Sequence, residues 1–210
     1  MLKQRQKFQK DRVKQTPKII LASESPRRRE LLASLGLDFD IIVSGVEEDR
    51  LEKETPEQHA IRLAIEKATS VSEQYPDAVV IGADTIVIID NEILGKPANE
   101  KHALQMLRKL SGRTHQVITG FAILKNTKVL VHTCIRSFVT FKVLSEEELN
   151  WYVQTVEPYD KAGAYAVQGI GAFFIKKIEG SFTNVIGLPL AEIVEALRKI
   201  EAFQFKDLKC

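Results

Sequence analysis

Strand-like and helix-like stretches alternate along this chain, and that alternation restricts its fold more than any other feature. "KIILAS" (18–23) reads as a short buried strand and is followed by a helix from Ser25; "FDIIVS" (39–44) reads as a second strand. In "TPEQHAIRLAIEKATSVSEQY" (55–75), Thr55, Pro56 and Gln58 supply a helix cap, a first-turn proline and a capping box. Ile61, Ile65 and Ala68 then recur at helical spacing as its expected inner stripe. "AVVIGADTIVIID" (78–90) reads as a strand pair or one long kinked strand, and "ANEKHALQMLRKLSG" (98–112) as a capped helix. Two long strands, "HQVITGFAIL" and "KVLVHTCIRSFVTFKV", flank the turn "KNTK" and suggest an antiparallel pair. A helix capped by Ser145 and Glu148, a polar glycine-rich segment (157–174), a strand in "FFIKKIEG" and a helix from Pro189 to Ile200 complete the chain. Such alternation specifies an α/β fold on a mixed sheet, not a purely doubly wound one.

Charge narrows the function. The 210 residues carry a net +2, but residues 1–17 hold six Lys/Arg and one Asp, or +5, so residues 18–210 carry −3. The first 17 residues therefore read as a basic, flexible extension, and residues 18–210 as one domain. The body is not the uniformly basic surface of a general nucleic-acid binder, and no nucleic-acid partner is expected. No apolar run approaches the ~20 residues that span a bilayer, and the basic start lacks the apolar stretch of a secretory signal. With only two cysteines, Cys134 and Cys210, no disulfide framework is expected and a cytoplasmic location is.

Chemistry concentrates in a few segments. "SESPRRRELL" (23–32) puts Arg27, Arg28 and Arg29 in the first turn of a helix capped by Ser25. That end already offers free N–H groups to an anion, and guanidinium forks there suit phosphate, with Ser23 and Ser25 as hydroxyl donors. Pairing of Arg28 with Glu24 on a solvated face is the bland alternative. Asp84 interrupts an apolar strand, where an unpartnered carboxylate is costly, so it is expected at a break made by Gly82 and facing a cleft. A structural Asp in a turn explains it equally well at this stage. In "LGKPAN", Lys96 stands between Gly95 and Pro97 in a loop suited to phosphate, although it is no Walker loop. Lys67 reads either as a further cation or as a snorkelling surface lysine. The acidic run Glu47, Glu48, Asp49 beside a phosphate site suits Mg²⁺ or Mn²⁺. In "DKAGAYAVQG", Gln168 has the donor and acceptor to read a base edge, and Asp160 and Lys161 could complete a cleft.

Taken together, "LASESPRRRELL", "VEED", "EKA", "GADTIV", "GKP", "LSGRTHQVITG", "DKAGAYAVQG" and "GLPL" resemble the Maf family of nucleotide pyrophosphatases from about residue 18 to 200. The resemblance implies an elongated α/β fold, its mixed sheet flanked by helices and its two lobes set around a central cleft, as in inosine triphosphate pyrophosphatases. It implies hydrolysis of a nucleoside triphosphate to monophosphate and pyrophosphate with a divalent metal, by a cytoplasmic homodimer with no membrane association. By the same resemblance Asp84 is the proton acceptor, and Arg27, Thr85 and Gln168 set substrate choice, a combination like that of the dTTP/UTP branch. Phosphate contacts fall on Ser23, Arg27, Arg28, Lys67 and Lys96, and metal-side carboxylates on Glu48 and Asp84. The rival functions are a purine, inosine-type pyrophosphatase and a nucleotide-sensing regulator of septum formation.

Overall fold

The computed structural model describes residues 17–205, so all but Pro17 of the basic, flexible extension expected over residues 1–17 lies outside the described residues, as does Cys210. Seven strands form one mixed sheet. They are β1 (Ile19–Ala22), β2 (Phe39–Ile41), β3 (Val79–Ile89), β4 (Glu92–Leu94), β5 (Thr114–Lys125), β6 (Lys128–Phe141) and β7 (Ile175–Glu179). Their order is β2-β1-β3-β5-β6-β7, with β4 also pairing β3. β1 runs parallel to β2 and β3, and every other pairing is antiparallel. The helices are α1 (Pro26–Ala33), α2 (Pro56–Ser72), α3 (Glu100–Leu110), α4 (Glu146–Val153), α5 (Phe182–Ile186) and α6 (Leu190–Lys199). The caps expected at Ser25, Thr55 and Ser145 all form, the last two as full capping boxes. The five-residue α5 has too little periodic pattern to be read from sequence.

Helices cover both faces of the sheet, and the apolar residues gather in two lobes. In one lobe, Leu21, Leu32, Ile81, Phe121, Ile193 and Leu197 form a core between the sheet and α1 and α6. On the opposite face Ala64, Ala68 and Val71 of α2 pack on Ile20, Val80 and Ala122. The second lobe is built on Leu107, Leu110, Phe141, Tyr152 and Phe174, around α3, α4 and the far end of β3. A cleft of about 870 Å³ lies between the lobes.

Two expectations need correction. Gly82 does not break β3, which runs unbroken for 11 residues. Glycine is required there by close approach: a Cβ on Gly82 would stand 2.2 Å from the Ala64 carbonyl oxygen, and one on Gly120 2.4 Å from the Ala60 carbonyl. Helix α2 thus lies directly on a glycine-paved patch of β3 and β5. At that contact α2 presents Ala60, Ala64 and Ala68; its buried face also includes Leu63, Lys67 and Val71, while Ile61 and Ile65 stay half-buried.

Candidate active site

What changes along β3 is its neighbour, not its path. β1 pairs with it as far as Gly82, and β4 takes up the same strand at Val87. Asp84 and Thr85 fall in the interval and line the cleft. Successive strand side chains point to opposite faces, so these two residues feed separate networks.

On the α2 face, the Lys67 ammonium donates to Asp84 Oδ1 at 2.8 Å and to Glu48 Oε1 at 2.5 Å. Lys67 and Asp84 are buried, with side chains 7% and 8% exposed, whereas Glu48 is half exposed at 50%. A carboxylate inside a sheet is tolerable only with such a partner. The snorkelling reading of Lys67 is therefore overturned: with α2 drawn onto the glycine pavement, its ammonium meets Asp84 and Glu48 at the cleft instead of running out along the surface.

On the other face, Arg28 donates from Nε to the Gly187 carbonyl at 2.8 Å and from Nη2 to Thr85 Oγ1 at 2.9 Å. Its Nη1 reaches Ser23 Oγ at 3.4 Å. Thr85 Oγ1 also lies 3.0 Å from Thr119 Oγ1. Burial pulls the Arg28 guanidinium below its ordinary pKa, against the charges of Asp84 and Glu48. Arg27 crosses the cleft to Asp160 at 3.2 Å, and Lys161 meets the same carboxylate at 2.5 Å. Burial acts to raise the Asp160 pKa, but its bonds to Lys161 and Arg27 outweigh that and hold it low. Arg29 is exposed and lies outside the lining, so two of the three first-turn arginines serve the cleft. Pairing of Arg28 with Glu24 does not occur among these contacts.

Lys96 is exposed at the cleft, and its loop is held by a bond from Gly163 N to the Gly95 carbonyl at 3.1 Å. The cleft thus gathers Ser23, Arg27, Arg28, Glu48, Lys67, Asp84, Thr85 and Lys96 from five separate segments. Gln168 is not among them: it is exposed, ahead of a turn at Gly169 (φ 132), and lies outside the lining. Sequence reasoning missed Tyr165 and His59 as wall residues. Tyr165 carried a signal as the one aromatic in "DKAGAYAVQG"; His59 carried none, being one of four scattered histidines.

Among the described residues no three His, Cys, Asp or Glu side chains converge as a metal cage. Glu48 and Asp84 nonetheless bring two carboxylates to one ammonium group, and hard oxygen donors of that number suit Mg²⁺, which keeps waters and takes its remaining ligands from phosphate.

A family model described as Maf-like protein matches residues 18–200. The chain belongs to the Maf family. Three relatives named dTTP/UTP pyrophosphatase cover nearly all of it. The Syntrophus aciditrophicus (strain SB) protein is 52% identical over 191 residues, 90% of this chain and 93% of that one. The Geotalea uraniireducens (strain Rf4) protein is 49% identical over 187 residues, 89% and 96%. The Escherichia coli (strain K12) protein is 49% identical over 189 residues, 90% and 95%. A solved HAM1 protein from Coxiella burnetii overlaps 58% of this Maf chain and 70% of its own at a TM-score of 0.42 and 18% identity. That likeness is too slight to carry weight, and the Maf fold described above stands on its own strand pairing.

Proposed function

We infer that this Maf protein hydrolyses dTTP and UTP to the nucleoside monophosphate and pyrophosphate, clearing pyrimidine nucleotides, modified ones included, from the pool. The observation that carries the reading is the buried Lys67 between Asp84 and Glu48, opening on a cleft rimmed by Arg27, Arg28, Lys96 and Lys161. Cations on the walls and carboxylates on the floor suit a polyanion whose hydrolysis needs a base.

In this mechanism a water oxygen attacks the α-phosphorus, the bond from that phosphorus to the bridging oxygen breaks, and the water proton passes to Asp84. The Lys67 ammonium, 2.8 Å from Asp84 Oδ1, holds that carboxylate in place and aims it at the cleft. Arg28, its guanidinium fixed by Gly187, Thr85 and Ser23, presents a rigid positive charge beside the phosphates. Arg27 and Lys161 exchange Asp160 for phosphate oxygens, and Lys96 neutralises charge on departing pyrophosphate. A divalent cation, Mg²⁺ or Mn²⁺, supplies charge neutralisation at the phosphates, with Glu48 and Asp84 as the residues that would hold it. Substrate choice is assigned to Arg27 and Thr85 within the cleft; Gln168 joins them on the family resemblance alone. The relatives' names favour pyrimidines over the purine alternative. A cytoplasmic homodimer is the setting proposed for this chemistry. Among the described residues no helix is long and apolar enough to cross a membrane.

Asp84→Asn tests the assignment. It removes the proton acceptor while keeping the shape and the bond to Lys67. Turnover of dTTP is expected to fall by about 10³-fold or more with nucleotide affinity retained. An Asp84→Asn protein with wild-type turnover sinks the mechanism. So, too, does one whose lost activity is matched by lost nucleotide binding.

A further inference from the structure

Glu48 stands on a segment that should not hold still. Residues 42–55, between β2 and α2, form no helix or strand, and residues 47–53 are exposed. Yet the base of this loop is pinned by a pair with little access to water. The side chains of Glu54 and Arg62 are 7% and 21% exposed. Arg62 donates from Nε to Glu54 Oε1 at 2.7 Å and from Nη2 to Glu54 Oε2 at 3.0 Å, a bidentate fork. The same Nη2 donates to the Asp49 carbonyl at 2.8 Å, on the residue next to Glu48. Nη1 reaches Glu66 Oε2 at 2.9 Å, and His59 Nδ1, on the cleft wall, lies 3.1 Å from Glu54 Oε2. At the other end of the loop Ser70 Oγ donates to the Ser44 carbonyl at 2.8 Å. Arg62, Ser70 and Lys67 all belong to α2. One rigid helix therefore holds the backbone beside Glu48 and also the ammonium group that its carboxylate meets.

We propose that Glu54 and Arg62 are positioning residues, whose fork fixes the loop so that Glu48 is presented to Lys67 and Asp84 at the cleft. Neither needs to touch nucleotide. Their effect passes through Glu48, and so depends on the reading of Glu48 as a working carboxylate given above. Lysine cannot replace Arg62, because a single ammonium cannot hold both Glu54 oxygens and the Asp49 carbonyl in one plane.

The test compares the full-length chain with Arg62→Ala, Arg62→Lys, Glu54→Gln, Glu48→Ala and the double variant Arg62→Ala/Glu48→Ala. It reads steady-state dTTP hydrolysis with Mg²⁺ and, separately, amide hydrogen exchange without ligand. Arg62→Ala is expected to lower kcat about tenfold or more, as losing a residue that orients a ligand commonly does, with KM changed by less than about threefold. Exchange should speed up across residues 46–53 while β3 and β5 are unaffected. Arg62→Lys should restore less than about a third of the lost kcat. In the Glu48→Ala background, Arg62→Ala should cost less than about twofold, because the two act in series. The proposal is overturned if the two losses multiply in the double variant, or if loop exchange is unchanged. Wild-type kcat in Glu48→Ala also overturns it, and would do so by refuting the reading of Glu48 itself. Should Arg62→Ala fail to fold, the isosteric Glu54→Gln carries the same comparisons.

Discussion

His115, at the start of β5, shows how one residue can be fixed by burial alone. Its Nε2 lies 2.8 Å from the Tyr165 hydroxyl, and its ring meets Phe141 and Tyr165 edge-on at 5.0 and 5.3 Å. Burial pushes its pKa down to about 3 from the ordinary 6.5, so the imidazole stays neutral at any working pH. It serves the cleft by holding Tyr165 as a wall, not by exchanging protons. The stability consequence has a definite sign. Between pH 6.5 and about 3 the unfolded chain binds a proton here that the folded chain refuses, so this residue's contribution is present above pH 6.5 and is lost as pH falls through that window. His115→Gln is expected to flatten the fall in Tm from pH 6.5 towards 3, whatever it does to Tm at neutral pH. Parallel Tm curves for the two proteins would contradict it. Lys67 is fixed differently, by the two carboxylates that accept from its buried ammonium group.

At the scale of elements, the decisive contact is α2 on β3 and β5. Gly82→Ala would put a methyl group 2.2 Å from the Ala64 carbonyl oxygen, a backbone atom that cannot swing aside. A loss of about 2–3 kcal/mol or more in urea unfolding is expected, with dTTP turnover falling as Lys67 is displaced from Asp84. Gly95→Ala, where nothing stands within 4 Å of the new Cβ, should leave the same unfolding curve nearly unmoved. Equal stability of the two variants would remove the pavement from the account. This contact also explains what could be read in advance. Caps at Ser25, Thr55 and Ser145 are local chemistry and were legible. Asp84 was legible as a costly buried acid, but its partner was not, because whether Lys67 is buried depends on glycines 15 and 53 positions further along the chain. The fate of Arg29 and of Gln168 was equally hidden: neighbouring letters in a motif diverge once a helix turns or a glycine at φ 132 redirects the chain. The short α5, which brings Gly187 to Arg28, left no periodic trace at all.

Across the whole molecule, two apolar lobes leave a polar seam, and the seam is bridged before any substrate arrives. Arg27 of α1 reaches Asp160 across 133 positions of chain, and Lys161 meets the same carboxylate. Such bridges orient the cations at little further entropic cost when phosphate replaces the protein carboxylate. The central claim is that this cleft breaks the α–β bond of pyrimidine nucleoside triphosphates. The most direct test is to measure both products, pyrophosphate and monophosphate, from dTTP, UTP, ITP and GTP with Mg²⁺ or Mn²⁺ and with chelator. Equimolar pyrophosphate and monophosphate from dTTP and UTP, at least about tenfold faster than from the purines and abolished by chelator, is the predicted result. Release of orthophosphate, a preference for ITP, or nucleotide binding without any product would contradict it.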